Sequence, residues 1–88
     1  MTSVCPDWTL DEVVAGMKRH GYHGLEPRVE WGHACGIESD LSATARAEVR
    51  RRFEDEGLSI CCIASGVRMA TPDATERARH VQDLRRYI

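Results

Sequence analysis

The stretch GLEPRVEWGHACG, residues 24–36, gathers Glu26, Arg28, Glu30, His33 and Cys35 within a dozen positions. Residues of these types make a catalytic constellation, a metal site or one polar wall of a larger pocket. In an extended chain successive side chains point to opposite faces. Leu25, Pro27 and Val29 then share one face, and Glu26, Arg28 and Glu30 share the other. On the polar face Arg28 is suited to a forked contact with phosphate or carboxylate, and Glu26 is suited to orient it. The competing reading is a half-solvated strand whose charges face water. Pro27 also removes a ladder donor, which disturbs a regular central strand. Glu30, His33 and Cys35 match no common ligand spacing, and Gly32 and Gly36 loosen the loop, so no metal site is assigned to this set.

A second candidate segment is Ser65-Gly66-Val67-Arg68, which follows the apolar run LSICCIA. Ser65 and Gly66 would let a ligand approach and Arg68 would bind an anion; an ordinary connecting loop fits the pattern as well. Trp8 either covers a sugar face at a pocket rim or staples the first helix, and Trp31 poses the same question. Cys61 and Cys62 are adjacent, so on a strand their side chains diverge and are expected to act as small buried hydrophobes. Cys5, beside Pro6, is read as structural. His20, His23 and His80 read as surface or helix-end residues. Arg50, Arg51 and Arg52 each have an acid four positions on, at Glu54, Asp55 and Glu56, which predicts an ion-pair ladder on a solvated helix face.

The elements that must position these groups are marked by their ends. Thr9-Leu10-Asp11-Glu12 is a capping box, the apolar residues Leu10, Val13, Val14 and Met17 follow helical spacing, and Gly21 is a natural stop. A helix over 10–20 follows. A second helix starts after Ser42, carries Ala45, Val49 and Phe53 on its apolar stripe and stops at Gly57. Asp73-Ala74-Thr75-Glu76 opens a third, with Ala78, Val81, Leu84 and Ile88 on its buried face. Between them lie extended segments at 2–5, 24–30 and 58–64. The last is nearly all apolar, as a parallel strand covered on both faces would be. The order β-α-β-α-β-α predicts an α/β fold with parallel strands and right-handed crossovers.

The totals bound the function. The chain has 88 residues, enough for one small domain with a thin stability margin. Its formal charge of −2 gives no general attraction to nucleic acid or anionic membrane. No stretch approaches the roughly 18 apolar residues of a membrane span, and no secretory pattern opens the chain. The four cysteines lack zinc-finger or thioredoxin spacing, so reduced thiols in the cytoplasm are expected.

Taken together, CPDWTLDEVV, GYHGLEPRV, the following Gly-His, DLSATARAEVRRRFEDEGLSI and SGVRMATPDATERARHVQDLRRYI resemble the sugar phosphate isomerase/epimerase family of xylose isomerase-like TIM barrels. The resemblance covers nearly the whole chain but only the family's first three βα units. It implies an α/β fold made of the first three βα units of a TIM (β/α)8 barrel, with parallel strands and helices on the outer face, residues 1–88 being a single partial domain. It further implies a metal-dependent isomerase or epimerase that shifts a proton between neighbouring carbons, with Mn, Mg or Zn polarising the substrate oxygens. The family's metal ligands and catalytic glutamates come mainly from later strands, so the divalent ion is expected of the complete barrel and not of this chain alone. Glu26, Arg28, His33, Ser65, Arg68 and Trp8 would be pocket-lining, substrate-binding positions for a sugar or sugar phosphate.

The chain by itself is expected to be inactive. Open sheet edges and an uncovered inner face predict association with copies of itself, or with a separately encoded remainder of the barrel. A non-enzymatic self-associating scaffold and an endonuclease-like member of the same superfamily are the alternatives, the second disfavoured by the acidic charge.

Overall fold

The structure is a computed structural model and describes residues 1–88. The first helix, α1 (Leu10–Arg19), begins as its sequence dictates. The Thr9 hydroxyl oxygen accepts the Glu12 N–H, and the Glu12 carboxylate accepts the Thr9 N–H at 2.8 Å. These contacts hold the Glu12 carboxyl below the usual range, the Thr9 backbone N–H contributing most. Val13, Val14 and Met17 are buried along one stripe. Gly21, at φ 71°, then turns the chain out of the helix.

After α1 comes strand β1 (Gly24–Leu25), and after helix α2 (Ala43–Glu54) comes strand β2 (Ser59–Ile60). The strands pair in parallel, Gly24 with Ser59 and Leu25 with Ile60, and an isolated parallel bridge joins Arg28 to Ala64. Partners are 35 positions apart in the strands and 36 apart at the bridge, so residues 61–63 hold one extra residue. That bulge lies where Pro27 has no N–H to give. The ladder runs Cys61 N–H to Leu25 O, then skips to Ala64 N–H on Pro27 O and Val29 N–H on Ala64 O. The expected strands at 24–30 and 58–64 are therefore each broken to two regular residues, while their parallel sense is as the element order predicts.

The segment 2–5 is not a strand. Thr2–Val4 form a short 3-10 turn, closed by Cys5 N–H on Thr2 O. One backbone bond, Thr2 N–H to Glu26 O at 3.1 Å, lies where a first strand would have paired. The Thr2 hydroxyl takes up the next donor, Arg28 N–H, at 2.9 Å, so the side chain replaces a ladder.

The core joins Val13, Val14, Met17, Leu25, Cys35, Ile37, Phe53 and Leu58. Burying side chains of this size stabilises the fold by roughly 1.5–3 kcal/mol each. Leu25, Pro27 and Val29 are all buried, and Glu26, Arg28 and Glu30 are not, as the alternation predicts. α2 is capped by the Ser42 hydroxyl on Ala45 N–H. Of its arginine ladder only Arg52–Glu56 forms. Arg52 also reaches Asp11, and Lys18 pairs with Glu56, so the charges tie α1 to α2 instead of running along one helix.

Helix α3 (Ala74–Tyr87) starts at Asp73, whose carboxylate accepts the Glu76 N–H at 2.7 Å. The box is only half made, because the Glu76 carboxylate turns to the Thr71 hydroxyl. The apolar stripe expected to be buried is not: Leu84 is 37% and Ile88 98% exposed, and the buried residue of the helix is His80. The second face of 58–64 is likewise uncovered, with Ile63 47% exposed and Cys61 and Cys62 at the surface. A radius of gyration of 14.4 Å, against about 12 Å for a closely packed chain of this length, reflects the outlying α3.

Candidate functional site

The polar residues gather beyond the carboxyl ends of β1 and β2. Arg28 leaves its strand on the face opposite Leu25, and its guanidinium lies over the Trp31 ring, 4.4 Å from the centroid. Such stacking is worth about 0.5–1 kcal/mol at a partly exposed site. The Arg28 Nε is sealed from solvent with no hydrogen-bond partner, and neither Glu26 nor Glu30 forms an ion pair with the guanidinium. Glu26 therefore does not orient Arg28. It accepts the Cys62 thiol at 3.4 Å, because the bulge brings Cys62 level with it. That carboxylate, with burial and neighbouring Cys61, pushes the Cys62 thiol up to about 11.

His33 is buried beside Arg28's own strand. Its Nδ1 lies 2.9 Å from the Thr2 hydroxyl, which already accepts the Arg28 N–H. The hydroxyl hydrogen has no other acceptor, so Thr2 donates to Nδ1 and the ring proton sits on Nε2. The imidazole also meets Trp31 edge-on, with centroids 6.2 Å apart. Thr2, Arg28, Trp31 and His33 thus form one supported wall.

Glu30 ends the extended segment at φ 72°, a left-handed conformation that is strained for a residue with a side chain by about 1–2 kcal/mol. Glu38 holds it there: its carboxylate accepts Glu30 N–H at 2.6 Å and Gly32 N–H at 3.1 Å. The Glu30 carboxylate in turn accepts Gly66 N–H at 2.9 Å through Oε2 and the Tyr87 hydroxyl through Oε1. A methyl group on Gly66 would lie 3.0 Å from Glu30 Oε2 and 3.7 Å from Arg28 Nη2. The backbone of 65–66, the guanidinium and the carboxylate therefore meet at one place.

The remaining sequence candidates divide. Ser65 is half-buried next to Gly66, and its hydroxyl accepts Val67 N–H at 3.4 Å. Arg68 is exposed, makes no hydrogen bond or ion pair, and acts by charge on Glu76 near the start of α3. Trp8 packs away from the site, its ring so close to Gly16 that an added Cβ would sit 2.4 Å from Cζ3. It walls an apolar cavity of about 430 Å³ with Val13, Met17 and Leu25, which none of the polar site residues lines. The helix-staple reading of Trp8 fits this position. Cys61 and Cys62 are exposed and not buried hydrophobes, because the bulge turns them out; His80 is buried and not at the surface. Cys5 is half-buried, and burial, reinforced by Cys35, pushes its thiol up. All four cysteines are free.

Thr2, Glu38 and Tyr87 belong to the site and carried no sequence signal: each is recruited from a distant segment by one hydrogen bond. No three His, Cys, Asp or Glu side chains converge as an ion would require. No helix is long and apolar enough to cross a membrane. No family model, curated protein or solved structure matches the chain.

Proposed function

We propose that the chain supplies the opening βα units of a metal-dependent sugar (phosphate) isomerase or epimerase-like barrel, and that its part in the reaction is to bind and orient an anionic sugar substrate. The observation that carries this reading is the Arg28 side chain. It is a guanidinium propped on Trp31, with a buried Nε and no carboxylate partner, beside a loop that follows a parallel strand and whose Gly66 N–H is held by Glu30. No nitrogen of the guanidinium has a hydrogen-bond or ion-pair partner, and its Nη groups suit a forked contact with a phosphate or carboxylate. Active sites in βα barrels lie beyond the carboxyl ends of the strands, where Glu26, Arg28, His33, Ser65 and Gly66 stand.

The groups present do not fit a divalent ion, since no ligand set converges. In the complete barrel the Mn, Mg or Zn that the resemblance implies would polarise the substrate oxygens. Arg28 would hold the anionic end, and His33 Nε2–H, held by Thr2, would donate to a hydroxyl. A reducing, cytoplasmic setting suits the four free thiols.

The test is calorimetric titration with a panel of aldose and ketose phosphates and their unphosphorylated sugars, with and without Mn²⁺. Binding that requires the phosphate and is lost in Arg28→Gln supports the reading. Equal binding of phosphorylated and plain sugars, or none, contradicts it.

A second reading, a self-associating scaffold, is favoured by exposed Val4, Trp31 and Ile63 and by a sheet of only two strands. Light scattering that shows a concentration-independent monomer would remove it.

A further inference from the structure

Helix α3 is joined to residues 1–66 by a single hydrogen bond, from the Tyr87 hydroxyl to Glu30 Oε1. Every other polar contact of the helix stays within residues 71–86: Glu76 with Thr71, Arg77 with Thr71 O, Arg86 with Asp83, and Arg79 and His80 facing Glu76. Leu84 in the helix and Ile88 just after it are exposed, and its packed face is reduced to buried His80 and half-buried Val81. The other oxygen of the same carboxylate accepts Gly66 N–H at 2.9 Å, beside Arg28 Nη2. A carboxylate on a free backbone N–H next to an unpaired guanidinium is in the place an anionic ligand would take. It is held there in a backbone conformation, φ 72°, that does not favour it.

We infer that Glu30 is an internal stand-in for the anionic ligand, and that Tyr87 latches it in place, so that α3 closes the site until an anion displaces the carboxylate. The inference rests on the reading of Arg28 as an anion-holding group. Displacement frees Gly66 N–H for the ligand beside the already unpaired Arg28, and breaks the one hydrogen bond between α3 and residues 1–66. By linkage, loosening the latch must tighten anion binding, and anion binding must loosen α3. No bond is made or broken covalently; the carboxylate exchanges one set of donors for solvent.

The experiment is amide hydrogen exchange and inorganic phosphate titration, at constant ionic strength, on the wild type, Tyr87→Phe and Glu30→Gly. Glycine suits the φ of residue 30, so the second variant removes the carboxylate without threatening the fold. Tyr87→Phe without ligand is expected to speed exchange across 74–87, and both variants to bind phosphate about fivefold or more tightly than the wild type. In the wild type, phosphate should speed exchange in 74–87, and in Glu30→Gly it should protect the Gly66 amide. Equal phosphate affinity in all three proteins overturns the inference, as does slower exchange in 74–87 on binding. Phosphate binding by none of them, Glu30→Gly included, also overturns it. A failed sugar panel with phosphate competition intact would instead sink the substrate reading and leave the latch standing.

Discussion

Thr2 shows how much one side chain can carry in a small fold. It is 1% exposed, accepts the Arg28 N–H and donates to His33 Nδ1. Thr2→Val keeps the shape and removes both bonds, leaving a buried N–H and a buried ring nitrogen unpaired. A loss of about 1–3 kcal/mol in urea unfolding is expected. Cys62 is the second residue-scale test. Its thiol, raised to about 11 chiefly by Glu26, holds far less thiolate at pH 8 than an ordinary exposed cysteine. The higher intrinsic nucleophilicity of a more basic thiolate returns part of the loss, so iodoacetamide should label Cys62 about tenfold more slowly than an unperturbed thiol. Glu26→Gln should restore most of the rate, read by mass spectrometry of the labelled peptide. A rate unchanged by that substitution would contradict the contact. The polar row Glu26, Arg28 and Glu30 was legible because strand alternation is local. The Cys62–Glu26 contact was not, because it depends on a bulge set by Pro27 and a register 36 positions away.

At the scale of elements, the helices were legible and the strands only in part. Thr9 with Glu12, Ser42 and Asp73 all cap where their types require, since a cap is made by residues three apart. Strand length is a property of pairing, which the missing Pro27 donor cut short. The 3-10 turn at Thr2–Val4 is not legible in the sequence, because a four-residue apolar-polar run carries no distinguishing period. The helix α1 offers a test of its packing against Trp8. Gly→Ala in a helix interior normally stabilises by roughly 0.5–1 kcal/mol. Here the new Cβ would stand 2.4 Å from the Trp8 ring, so Gly16→Ala should displace the indole. We expect no gain in unfolding midpoint and a red-shifted Trp8 emission, in a Trp31→Phe background. A stabilised protein with unchanged emission would contradict the contact.

The whole molecule is held by one modest core and a set of charge contacts between helices. Glu12, Glu56 and Glu76 have carboxyls lowered below their ordinary value of 4.5, by Thr9, by Lys18 with Arg52, and by Thr71 respectively. A lowered folded value means the unfolded chain binds more protons in that range. The stability these groups contribute is therefore full above pH 4.5 and is lost as pH falls from there through the folded values. Urea midpoints should drop as pH falls below 4.5; in Glu56→Gln the drop should be shallower. The exposed stripe of α3 could not be read from its sequence, because amphipathic spacing says that a face is apolar and not what covers it.

The central claim is that Arg28, on Trp31 and beside Gly66, holds an anion. It is tested most directly by following the Arg28 Nε–H and Gly66 N–H resonances during a phosphate titration at constant ionic strength. The account predicts saturable shifts at both, absent in an equal titration with chloride. Shifts confined to the arginines of α2, or no saturation at Arg28, would contradict it.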